Sequence, residues 1–179
     1  MGSAPSGASS STDCSELNSN GTYSFASIIH PDLVRLELRS SQSRGTIREL
    51  LELIHRKHPF DDLESVYTSL VERESVMSTG IGRGVALPHA VIPHIPGTYA
   101  AVGLSSKGIS FESPDNVPVG VVVLVLFPED AHREHIEILA GFSRLFRQEE
   151  FLSALRTVES GDELIDVLNR YEPLMEDHE

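Results

Sequence analysis

A single cysteine in 179 residues leaves no partner for an intramolecular disulfide. That residue, Cys14, lies in a polar stretch with no basic neighbour to activate its thiol. Tryptophan is absent and aromatic residues make up 6% of the chain, so the core must be mainly aliphatic. Cations are scarce: 14 Lys and Arg stand against 27 Asp and Glu, a formal net charge of −13. A phosphate backbone needs a basic surface, so this balance speaks against nucleic-acid binding and suits a partner carrying a basic patch. Long apolar runs are missing too. The longest, Val119 to Phe127, falls short of the ~20 residues of a membrane helix. The N-terminus has neither the basic start nor the apolar centre of a signal peptide. Met1 to Ser6 fits the loose N-myristoylation pattern, but six small residues match it easily. Cytoplasm, without membrane insertion, is the expected location.

The chain that remains suits one globular domain, with 40% hydrophobic residues to fill it. Residues 1–21, rich in Ser, Gly, Asn and Thr, read as a disordered tail. The domain is expected over 22–171, with an acidic tail over 172–179. Val34 to Leu38 alternates apolar and polar and predicts a strand. Ile47, Leu50, Leu51 and Ile54 recur at helical spacing. A second helix opens at Asp61 or Asp62, buries Leu63, Val66, Tyr67, Leu70 and Val71, and ends around Arg73 and Glu74. Val85 to Leu87 and Ala100 to Leu104 are strand candidates. Val119 to Phe127 is apolar throughout, the mark of a central strand buried on both faces. Pro128-Glu129-Asp130 closes it and starts a helix whose stripe reads Ile136, Leu139, Ala140, Phe142 and Leu145 or Phe146. A short helix around Phe151 to Leu155 follows. The last helix starts with a capping box, Ser160 to Glu163, and buries Leu164, Ile165, Val167 and Leu168. Strands alternating with helices predict an α/β domain, a mixed and mostly parallel sheet sandwiched by helices.

Gly80, Gly82 and Gly84 alternate along one turn, where absent side chains let the backbone N–H groups face a common concavity. Such a turn is a candidate anion cradle, although no Gly-Lys-Ser/Thr follows to make it a nucleotide-binding loop. Val85-Ala86-Leu87 anchors the turn in the sheet, Pro88 stiffens the exit, and His89 then stands at a strand end.

The stretch from Arg73-Glu74 through Ser78-Thr79-Gly80-Ile81-Gly82-Arg83-Gly84 to Leu87-Pro88-His89 resembles the phosphorylation-site signature of enzyme IIA domains in the bacterial phosphotransferase system. The matching branch is the fructose, mannitol and nitrogen-regulatory one. Ile109 to Pro118 resembles the loop before the family's central strand, Phe127 to Leu145 the helix bearing a second histidine, and Ser160 to Leu168 the closing helix. The resemblance runs from about Tyr23 to Tyr171. It implies that His89 accepts a phosphoryl group from the phosphohistidine of HPr and passes it to an enzyme IIB domain or a regulatory target, with no cofactor. Neutral imidazole is nucleophilic near physiological pH, and the protein need only align the groups and stabilise charge on the phosphoryl oxygens. The resemblance also makes Arg73 the guanidinium for those oxygens and His135 the group that orients His89 or bonds the phosphoryl group. Arg73 on its own also suits a helix C-terminus. Thr79 either donates a hydroxyl to phosphate or only orders the turn. Arg83 stands where many members have asparagine, and reads equally as a phosphate-binding cation or a solvent-facing turn residue.

Two other classes compete. His89, His94, His132 and His135 with Glu129, Glu134 and Glu137 include enough ligand types for a metal, but the spacing of metal hydrolase motifs is missing. A phosphorylation-independent interaction module of the same fold would retain the shape without needing Arg73, His89 and His135 together.

Overall fold

The computed structural model describes residues 24–172, so the expected tail at 1–21 and all but Glu172 of the one expected at 172–179 lie outside the described residues, as does Cys14. Six helices and six strands follow in the order α1 (Phe25–Ile28), β1 (Ile29–Arg35), α2 (Ser43–Lys57), α3 (Leu63–Val76), β2 (Gly80–Gly82), β3 (Val85–Ala86), β4 (His89–Ile92), β5 (Tyr99–Ile109), β6 (Val119–Pro128), α4 (His132–Leu145), α5 (Glu149–Leu155) and α6 (Gly161–Tyr171). Among the described residues no helix is long and apolar enough to cross a membrane.

The continuous apolar run becomes β6, the sheet's centre. On one side it pairs antiparallel with β5, which in turn pairs parallel with β1. On the other side it carries β3 and β4 in succession, both parallel, and β2 closes that edge against β3. A strand's side chains alternate between faces. Val121, Val123, Val125 and Phe127 therefore enter one core, with α1, α4, α5 and α6, whereas Val122, Leu124 and Leu126 enter the other, with α2 and α3. Helices cover both faces of a mixed sheet, as the alternation of elements predicts.

Local chemistry sets the element ends. The Asp62 carboxylate accepts the Ser65 N–H at 2.9 Å and starts α3. Ser160 accepts the Glu163 N–H at 3.1 Å, while Glu163 reaches past it to the Glu159 N–H at 2.8 Å. The cap of α6 is thus one residue wider than the expected box.

Three expectations need correction. The first strand runs Ile29–Arg35, earlier than Val34 to Leu38. Pro31 has no N–H for the ladder, and the register shifts between Ile29 and Val34. On α4 the buried face is Ile138, Gly141, Phe142 and Leu145, and Ile136 is 71% exposed. Glu172 belongs to the folded body: its buried carboxylate accepts the Phe25 N–H at 2.8 Å and the Ser24 hydroxyl at 3.2 Å.

Candidate active site

His89 opens β4 opposite Val125, half-buried, immediately after the short irregular link Leu87-Pro88. Its Nδ1 lies 2.8 Å from the Leu87 carbonyl oxygen. A carbonyl can only accept, so Nδ1 carries the proton and Nε2 keeps its lone pair. Burial holds the His89 pKa below the ordinary 6.5, with the nearby charges of Arg73 and His135 acting the same way, against the raising effect of the Leu87 bond. A neutral imidazole with a defined free nitrogen is the result.

Two further expected residues come to the same place from different elements. His135 projects from the first turns of α4, its ring 5.4 Å from that of His89 between centroids. Phe127, fully buried near the end of β6, backs His135 at 4.4 Å. Burial lowers the His135 pKa as well, followed by the charges of His132 and Arg73. Arg73 lies in the last turn of α3 and is close enough to depress both imidazoles. Its guanidinium donates to the Met77 carbonyl at 2.9 Å, which steadies it and leaves other N–H groups for a ligand.

The glycine turn does not surround this site. Because β3 and β4 run in succession along β6, Gly84 and His89 are five positions apart along nearly extended chain, ~16 Å. The tip's own N–H is taken: Arg83 N donates to Asp115 at 2.6 Å, and this bond, first among several, lowers the Asp115 pKa. The Arg83 guanidinium is engaged by the Arg147 carbonyl and the Glu149 carboxylate. The tip of the expected cradle, Gly82, Arg83 and Gly84, therefore lies along the sheet from the imidazole, and Gly80, opposite Ala86, is nearer to it. Gly82 and Gly84 meet a backbone requirement instead, at φ 86° and 74°, and Gly80 packs against Glu112. Thr79 is buried and nearer, but its hydroxyl and N–H both go to Glu74, the latter at 3.0 Å. It orders the turn.

Sequence reasoning missed Glu74. Its carboxylate holds Thr79, the Thr79 carbonyl accepts the Leu87 N–H at 3.0 Å, and the Leu87 carbonyl holds His89. The only signal was its place beside Arg73. The four histidines of the metal alternative do not all gather, although His89 and His135 do. His94 sits in the loop after β4 and lines a different cavity with His58. Among the described residues no three His, Cys, Asp or Glu side chains converge as ligands.

Comparisons with known proteins point the same way as the imidazole pair. The family profile described as "Phosphoenolpyruvate-dependent sugar phosphotransferase system, EIIA 2" matches residues 27–171. A nitrogen regulatory protein of Bradyrhizobium diazoefficiens is 34% identical over 141 residues, 79% of this chain and 92% of its own. The fructose-specific EIIABC component of Bacillus subtilis is 31% identical across 78% of this chain, which spans only 22% of that protein's length. Among solved structures, the nitrogen regulatory protein IIA-Ntr from Neisseria meningitidis superposes with a TM-score of 0.75 at 28% identity, covering 80% of this chain and 97% of that one.

Proposed function

Since the chain belongs to the EIIA 2 family of the phosphoenolpyruvate-dependent sugar phosphotransferase system, as the match over residues 27–171 establishes, we propose that it is a phosphocarrier acting through Nε2 of His89. The observation that carries this reading is the Leu87 carbonyl at 2.8 Å from Nδ1, which leaves Nε2 as the free nucleophile. Nε2 attacks the phosphorus of a phosphohistidine on an HPr-type donor. The new N–P bond forms as the donor's N–P bond breaks, and the Nδ1 proton stays against Leu87, which offsets positive charge developing on the ring. Arg73 supplies N–H groups and charge for the three equatorial oxygens, and His135 orients the ring or bonds one oxygen. Transfer onward to an enzyme IIB domain reverses the same steps. The nitrogen regulatory relative favours a second fate, in which the phosphorylated form is itself the signal read by another protein in the cytoplasm.

Val76, Met77 and Ile136 support a docking role for the surface around the site. They are 85%, 67% and 71% exposed and adjoin Arg73 and His135 in the chain. Apolar side chains left in water beside a reactive group suit the centre of an interface with a partner.

Incubation with enzyme I, HPr and phosphoenolpyruvate tests the reading. The expected product is one acid-labile, base-stable phosphate per chain, absent in His89→Ala and bonded to Nε2 by ³¹P–¹⁵N NMR. Equal labelling of His89→Ala would remove His89 from the role. A phosphate on Nδ1 would remove the tautomer argument.

A further inference from the structure

At the end of the sheet remote from His89, a cavity of about 490 Å³ opens between the β2–β3 turn, β5 and the start of β6. This volume lies within the ~300–1,000 Å³ typical of small-molecule sites. Its lining is mixed, polar and apolar in about equal parts, and on the apolar part Leu36 and Val117 leave 37% and 43% of their surface in water. Two cations reach it from separate elements, Lys107 from β5 and Arg156 from the segment after α5. Neither has an ion pair or hydrogen bond with a described side chain, whereas neighbouring Arg83 is held by Glu149. The cavity's one carboxylate, Glu37, is occupied by the Ser106 N–H at 3.2 Å and the Ser106 hydroxyl at 3.1 Å.

Left-handed backbone collects at the same place. Among the described residues six have φ in the left-handed region, and four of them line this wall or adjoin a lining residue: Arg83, Gly84, Gly108 and Asn116. Arg83 at 58° and Asn116 at 55° bear the steric cost of a Cβ there. Such conformations persist where the surrounding structure enforces them, and they cluster at ligand sites. Gly84, the last glycine of the turn, lines this cavity.

We propose that the cavity binds a small organic anion, a carboxylate or phosphate ester with an apolar body. The anionic head is recognised by Lys107 and Arg156 and the body lies over Leu36 and Val117. A cationic rim on an apolar floor selects for both parts, and in a chain of net charge −13 it is a local exception to the surrounding potential. Binding here does not depend on His89 chemistry.

The probe is 8-anilinonaphthalene-1-sulfonate, an anion with an apolar body, titrated into the ¹⁵N-labelled full chain. Saturable binding tighter than about 1 mM is expected, with amide shifts confined to 36–37, 84, 104–108, 117, 119–121 and 156–158. Lys107→Gln with Arg156→Gln should weaken it about tenfold, while Lys107→Arg and His89→Ala leave it unchanged. Hexanoate and phenyl phosphate as competitors distinguish a carboxylate head from a phosphate. Shifts centred on Met77 and Ile136 or on His58, no saturation, indifference to the double variant, or equal competition by inorganic phosphate would each overturn the proposal.

Discussion

The reactivity assigned to His89 depends on a relay of groups that never touch phosphate. Glu74 accepts from Thr79, Thr79 accepts from Leu87, and Leu87 accepts from Nδ1. Each bond fixes the backbone that makes the next, so Glu74 is a positioning residue for the tautomer. Losing a charged acceptor here costs on the order of 1.5–3 kcal/mol locally, or roughly tenfold or more if expressed in the rate. Glu74→Ala should slow phosphorylation of His89 by that order and raise the share of its other tautomer, read from the ¹⁵N shifts of the ring. Glu74→Gln, which can still accept from the Thr79 N–H, should recover part of the rate. A slowed reaction with unchanged tautomer populations would show that Glu74 acts only through folding.

At the scale of elements, the helix that carries His135 shows how far patterning reaches. Ile136, Leu139 and Ala140 share helical spacing with Phe142, as do Ile138, Gly141 and Leu145, so periodicity alone admits two adjacent faces. What decides is the neighbour: the Phe25 ring stacks on Phe142 at 4.3 Å and fills the space over Gly141, which has no side chain to register in a pattern. Ile138→Ala should therefore cost about 2–5 kcal/mol in urea unfolding, and Ile136→Ala under about 0.5. Ile136→Ala should instead raise the KM for the phosphoryl donor, and a large stability loss there would refute the assignment of faces. The same limit explains the other discrepancies. β6 was legible because nine apolar residues in a row have few alternatives, and α3 because Asp62 caps it. β1 was not, since Pro31 interrupts its ladder and β5 alone holds it. The motif was legible as a string from Arg73 to His89, but the string does not say that Gly84 and His89 stand at successive strands along β6.

For the whole molecule, the histidines couple folding to pH. His58, His89 and His135 all lie below their ordinary 6.5, and burial is the leading cause each time; Lys57 and His30 add to it at His58. The unfolded chain, with ordinary imidazoles, therefore binds more protons just below pH 6.5, and stability rises with pH through that window. Above about pH 7.5 all three are neutral in both states and their contribution is flat. A second loss follows in stronger acid. Lys57 lowers the pKa of Asp32, Arg48 that of Glu64, and chiefly the Arg83 N–H that of Asp115, so these carboxylates stabilise the fold above their ordinary values of 3.8 to 4.5 and cease to do so as they protonate. Relief of self-repulsion opposes both losses, because acidification reduces a net charge of −13. Salt separates the two effects, since screening weakens repulsion between exposed charges and leaves burial of an imidazole nearly untouched. The melting temperature should thus be level from pH 8 to 7 and fall on acidification below 6.5, more steeply as salt is raised from about 0.05 M to 0.5 M. The His58→Gln, His135→Gln double variant should flatten that fall. Calorimetry that shows the same slope in the variant, or a melting temperature rising on acidification at high salt, would mean that the imidazoles are not the groups responsible.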